Sequence, residues 1–231
     1  MEFLNDNFFI IALTFGVYYA AKKLQAYTGW VILNPILVAI LVLIGILKLT
    51  GISYESYSKS ASIIDFWLKP AIVALGVPLY LQLKSIKRQL VPLLVSQLVG
   101  CVVGIVSVVL TAKWLGASKE IIVSLAPKSV TTPIAMEVTQ SLGGIPSLTA
   151  AIVVIVGLFG AVCGFKLLQV GRVKSPIAQG LSMGTASHAV GTSKAMEYGR
   201  KYGAYASLGL ILNGLLTAIL APIVLHLMGI V

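Results

Sequence analysis

Charge is what this chain has least of. Asp, Glu, Lys and Arg make up only 10% of the 231 residues while 58% are hydrophobic, a balance that excludes a soluble domain of this size and puts the chain in a bilayer. Cysteine is nearly absent too. Cys101 and Cys163 each sit in an apolar run among Val and Gly, where a small packing residue is a better reading than a disulfide or a metal ligand. There is no zinc-ligand spacing, no glycine-rich phosphate loop and no acid placed to orient His188. Without them neither an enzyme nor a bound metal or cofactor is expected. Acidic residues are outnumbered, for a net charge of +10, but the Lys and Arg are dispersed in short clusters at the ends of apolar runs, as in loops of membrane proteins. The expected partner is therefore the lipid bilayer and not nucleic acid.

Runs approaching the roughly 20 apolar residues that cross about 30 Å of hydrocarbon recur along the chain. Simple spans are expected at 7–21, 29–49, 64–83, 90–112, 146–170 and 203–229. Trp30, Trp67 and Trp114 fall near their ends, where an indole prefers the interface. The first run follows Glu2 and Asp6 instead of basic residues and precedes Lys22 and Lys23 with no small-residue cleavage site. It reads as a retained helix rather than a signal peptide. Gly51 to Asp65 is the longest polar gap and reads as a surface loop with at most a short interfacial turn.

Two further segments, 118–142 and 176–199, are as long as spans but are interrupted by polar, glycine or proline residues. Such interruptions are tolerated in lipid only where protein covers them or a wet cavity receives them, so they usually mark a site. The two are also related. "VTTPIAMEVTQSLGGIPSL" from Val130 and "VGTSKAMEYGRKYGAYASL" from Val190 share Val, Thr132 with Thr192, the Ala-Met-Glu triplets ending at Glu137 and Glu197, and Ser147-Leu148 with Ser207-Leu208, all at an offset of 60. The expected repeat units are 118–171 and 176–231.

Loop charge bears on the threading. With Lys128 and Lys194 set aside as intramembrane, eight full spans leave seven Lys/Arg on the side of Lys22 and eight opposite, whereas two re-entrant hairpins give ten and five. The second arrangement has the asymmetry that cytoplasmic loops carry. The expected fold is thus all-α and polytopic, with about six spans and two broken or re-entrant hairpins forming an inverted repeat; two crossing discontinuous helices are the alternative.

The first tip, Pro127 to Pro133, combines Lys128, hydroxyls and a helix start capped by Thr131 or Thr132, the elements of a small anion site. An intramembrane lysine is costly without a partner or a task. The second tip, Gly184 to Glu197, is rich in small residues and holds His188, which can bind an anion, relay a proton or simply bridge helices. Glu137 and Glu197 occupy equivalent positions and are candidates for proton or ion coupling, although Lys194 and Glu197 are spaced for a local ion pair. Asn34 and Asn213 read as contacts between helices.

"APKSVTTPIA" at 126–135, "MGTASHAVGT" at 183–192, "LNPILVA" at 33–39 and "LTGISYESY" at 49–57 resemble segments of the LrgB/CidB family, and the resemblance covers essentially the whole chain. It implies a multi-pass protein of the cell membrane that works with a smaller LrgA/CidA-like membrane protein, or as a homodimer. Members are described as antiholin-like modulators of murein hydrolase activity and autolysis. Related proteins carry small carboxylates such as pyruvate, glycolate and glycerate. On that resemblance the tips are expected to bind a 2-oxo or 2-hydroxy monocarboxylate, with Lys128 supplying charge, Ser129, Thr131, Thr132, Thr185, Ser187 and Thr192 supplying hydrogen bonds, and His188 touching substrate or a co-transported proton.

Overall fold

The computed structural model describes residues 7–30, 33–67, 70, 80, 87 and 89–231. Every regular element among them is a helix. The expected span at 64–83 lies mostly outside the described residues. The helices group into two compact units.

The first unit holds α1 (Asn7–Thr28), α2 (Pro35–Thr50) and α3 (Tyr54–Phe66). Asn34 caps α2, its Oδ1 accepting from Ile36 N at 3.0 Å, while Pro35 fills the first helical position, where no amide donor is needed. Gly51, at φ 71°, ends α2 in the left-handed conformation. The polar stretch expected as a loop is instead mostly α3. Ser53 accepts from Ser56 N at 3.2 Å and Glu55 stands in the first turn, so a capped start with an acid at the positive end opens a run free of Gly and Pro. Two bonds tie α3 to α1: Ser60 Oγ donates to Asn7 Oδ1 at 2.7 Å, and the Thr14 and Tyr57 hydroxyls lie 3.0 Å apart.

The second unit contains α4 (Leu90–Trp114), α5 (Lys119–Leu125), α6 (Thr132–Ser141), α7 (Pro146–Val170), α8 (Pro176–Tyr198) and α9 (Arg200–Leu227). Residues Val91–Trp114, Pro146–Val170 and Arg200–Leu227 form helices long and apolar enough to cross a membrane, and Pro35–Thr50 is a shorter apolar helix. At about 1.5 Å per residue, 25 residues reach well past a 30 Å hydrocarbon core. Trp30, Trp67 and Trp114 are all exposed.

Both interrupted segments are broken where the polar tips lie. Residues 126–131 form turns between α5 and α6, with Lys128 N donating to Leu125 O and Val130 N to Pro127 O. In α8 the break falls at Ser187 (φ −127°, ψ 18°) and His188 (φ 41°, ψ −135°). A non-glycine residue at positive φ is strained unless its surroundings hold it there. Here α7 does: Gly157 and Gly160 lie directly under the His188 ring and the Ser187 side chain.

Packing explains why these pieces stay together. Cys101, Ile105 and Val109 of α4 form one core with Ile122 and Val123 of α5, Val138 of α6, and Val224 and Leu225 of α9. A chain of buried hydroxyls closes α5 onto α7: Thr149 Oγ1 lies 2.9 Å from Thr139 Oγ1 and 2.9 Å from Ser124 O, while Ser124 Oγ accepts from Ile145 N at 2.8 Å. Helices α8 and α9 meet backbone to backbone, Gly184 standing against the main chain of Ala206, the close approach that small residues permit.

Candidate functional site

Side chains spaced at i, i+3 and i+4 share a helix face, and three such faces converge in the second unit. On α4 they are Ser96 and Gln97, Gly100 and Cys101, then Gly104; on α8, Leu181 and Ser182 with Thr185 and Ala186; on α9, Asn213 and Thr217. With Ala126, Lys128 and Ser129 of the turn after α5 they line a cavity of about 320 Å³ that is open on one side. That lies at the small end of ligand sites, which run from about 300 to 1,000 Å³. Glycines at 100 and 104 supply part of the space, and Ile105 and Leu181 give the wall apolar patches.

Lys128 is the cavity's cation. It is partly buried, its Nζ donates to Ser129 Oγ at 3.2 Å, and among the described residues no acid is paired with it. The other polar groups of the lining are neutral. The Thr185 hydroxyl has Leu181 O at 2.7 Å and Gln97 Oε1 at 2.9 Å. One proton serves one acceptor at a time; with the Gln97 amide reversed, its nitrogen donates to Thr185 and both contacts are satisfied. Gln97 is only 2% exposed. Cys101 Sγ lies 3.3 Å from Thr217 Oγ1, and Asn213 Nδ2 donates to Ser129 O at 3.3 Å and Thr185 O at 3.0 Å.

Of the residues expected to bind substrate, the structure brings Lys128, Ser129 and Thr185 to this cavity. The others lie elsewhere. Thr131 precedes α6 in extended conformation, but its hydroxyl makes no capping bond, and its Oγ1 is buried with no hydrogen-bond partner. Thr132 is the first residue of α6. Ser187, His188 and Thr192 are buried between helices. His188 Nε2 is 2.8 Å from Val153 O, and because a carbonyl only accepts, this nitrogen carries the proton. Thr192 Oγ1 donates to His188 O at 2.8 Å. Among the coupling candidates, Glu137 is exposed, and Glu197 forms the i, i+3 ion pair with Lys194.

Sequence reasoning missed Ser96, Gln97, Ser182 and Thr217 as cavity residues and took Asn213 only as a contact between helices. Gln97 carried a signal: an amide in a long apolar run is expensive unless it meets a partner. Residues Gly180 to Gly184 also spell Gly-x-Ser-x-Gly. Here Ser182 lies inside α8, without the strand-to-helix turn that exposes a nucleophile, so the letters do not make an elbow.

The model of the LrgB-like family matches residues 14–227. The chain is 40% identical over 216 residues to a protein named holin-like protein CidB from Staphylococcus epidermidis, 94% of each chain being covered, and equally identical over the same shares to its namesake in Staphylococcus aureus. YwbG of Bacillus subtilis is 39% identical over 94% of this chain and 96% of its own. No solved structure matches.

Proposed function

Because this chain belongs to the LrgB-like family and its cavity contains a lysine with no acid paired to it among the described residues, we propose that it is the substrate-binding component of a carrier for small 2-oxo or 2-hydroxy monocarboxylates of the pyruvate, glycolate and glycerate type. The observation that carries this reading is Lys128. A partly buried cation without a counter-ion is costly in such surroundings, and an arriving carboxylate lowers that cost. At about 4 Å and an effective dielectric near 20 such a pair is worth about 4 kcal/mol, against about 1 kcal/mol in bulk water. A single cation suits a monoanion better than a dianion. Ser129, Thr185 and Gln97 add hydrogen-bonding groups, and the cavity size suits a molecule of a few carbons.

In this reading the protein makes and breaks no covalent bond. It sits in the cell membrane and works with a smaller LrgA/CidA-like protein or as a homodimer. The test is uptake of labelled pyruvate or glycolate by liposomes holding the purified chain, with and without that partner. Lys128→Ala abolishes uptake while the protein still inserts. Uptake unaffected by that change overturns the site.

A second reading has its own support. The Staphylococcus relatives are named holin-like, which speaks more directly for an antiholin- or holin-like modulator of murein hydrolase activity and autolysis than for a carrier. Liposomes that leak dye but move no carboxylate under any gradient decide for this alternative.

A further inference from the structure

Asn213 is 2% exposed, sits on α9 and lines the cavity. Its Nδ2 faces two main-chain oxygens, Ser129 O at 3.3 Å and Thr185 O at 3.0 Å. Neither can donate, so the amide orientation is fixed by chemistry, and both protons of the NH₂ group are spent.

Each acceptor belongs to one of the two broken segments, and each lies at a defect in its own hydrogen-bond ladder. In a continuous helix the partner of Ser129 O is the amide of residue 133, which is proline and has no N–H. The partner of Thr185 O is the amide of Ala189, just beyond the non-helical Ser187 and His188. One side chain on a third helix therefore supplies the proton that proline withholds from one break and a proton to the carbonyl that precedes the other. Ser129 and Thr185 both line the cavity, so the same amide ties together two segments that border the space in which the acid is proposed to bind.

We infer that Asn213 is a positioning residue that sets the gap between the Lys128–Ser129 turn and the Thr185 turn of α8, and through that gap the size of acid the cavity accepts. The inference rests on the carrier reading for its selectivity but not for its geometry. Without the clasp, two main-chain oxygens lose their donor and the walls are free to part. Small acids then no longer reach Lys128 and Thr185 at once, while longer ones do.

Two measurements test this. In liposomes, with the small partner if uptake requires it, Asn213→Ala raises the half-saturating pyruvate concentration about tenfold or more, on the order of one lost hydrogen bond. The same change increases the rate for 4-methyl-2-oxopentanoate relative to pyruvate. Asn213→Asp, which keeps the shape but turns oxygen toward both carbonyls, does the same and recovers in part at low pH as its carboxyl gains a proton to donate. A merely structural asparagine lowers the amount of folded protein and leaves the ratio of the two acids at the wild-type value; that unchanged ratio overturns the inference.

The second measurement needs no transport. In a Cys101→Ala, Cys163→Ala background, cysteines replacing Ser129 and Thr185 are joined rapidly by a short bifunctional thiol reagent while Asn213 is present, and several-fold more slowly in Asn213→Ala. Equal rates overturn the clasp. If the wild-type protein moves no acid yet this difference is found, the carrier reading fails and the clasp stands.

Discussion

Gly160 on α7 stands so close to Ser187 on α8 that a β-carbon at position 160 would overlap the serine side chain. Ser187 is at the break in α8, so the fit of α7 under that break leaves no slack. Gly160→Ala is expected to lower stability by about 1–3 kcal/mol, the usual cost of overpacking. Loss of monodisperse protein on a heating series in detergent measures it. Gly45→Ala in α2, where a β-carbon meets nothing within 4 Å, is the control and leaves stability unchanged or slightly raised.

The Lys128 ammonium gives the cavity a charge that a probe can read. Ser182→Cys is expected to react with an anionic thiol reagent faster than with a neutral one of the same size, and pyruvate slows the reaction. Adding Lys128→Gln removes the preference for the anion, whereas Lys128→Arg keeps it, since the charge is retained but the geometry changes. The Cys101→Ala, Cys163→Ala background isolates the new thiol. An anion preference that survives Lys128→Gln assigns the field to other groups.

Thr149 is fully buried and its hydroxyl joins Thr139, Ser124 and its own helix. Thr149→Val keeps the volume and deletes the hydroxyl. Stability is expected to fall by about 1–3 kcal/mol because buried partners lose their bond, while Thr149→Ser retains most of it. Melting in detergent separates the two; equal losses would mean that packing of the methyl group matters more than the hydrogen bonds.

His188 donates to Val153 O and does not line the cavity. His188→Ala is expected to destabilise by about 1–3 kcal/mol through the lost bond and the space left behind, with the half-saturating acid concentration of the folded fraction unchanged. A loss of affinity at an unchanged melting point would instead give the imidazole a direct role toward substrate or proton.

What could be read from the sequence, and what could not, follows from the range of the forces involved. The breaks at 126–131 and at His188 were legible because proline, glycine and hydroxyl clusters act locally on the backbone. Membrane character was legible because apolar runs add up along the chain. Helix α3 was not legible because its polar composition matches that of a loop, and only the Ser53 cap and the absence of Gly and Pro mark it as a helix. The cavity was half legible. Lys128, Ser129 and Thr185 stand out as polar residues near the breaks, whereas Gln97 and Asn213 join them only after α4 and α9 are folded against α8. Ser187, His188 and Thr192 resemble their neighbours in sequence, and only the rotation of α8 decides which of these side chains meet the cavity and which meet α7 and α9.

The glycine seam between α8 and α9 has a mechanical consequence. Helices that touch main chain to main chain, as at Gly184 and Ala206 or at Gly209 and Leu181, have no layer of side chains between them to re-pack, and so shift as one piece. Helix α4 meets that piece differently, through side chains such as Leu93 with Leu181 and Leu208, and Gln97 with Thr185, which can change rotamer. At the glycine contacts the α8 and α9 lining therefore has no side chains to re-pack, whereas the α4 lining does.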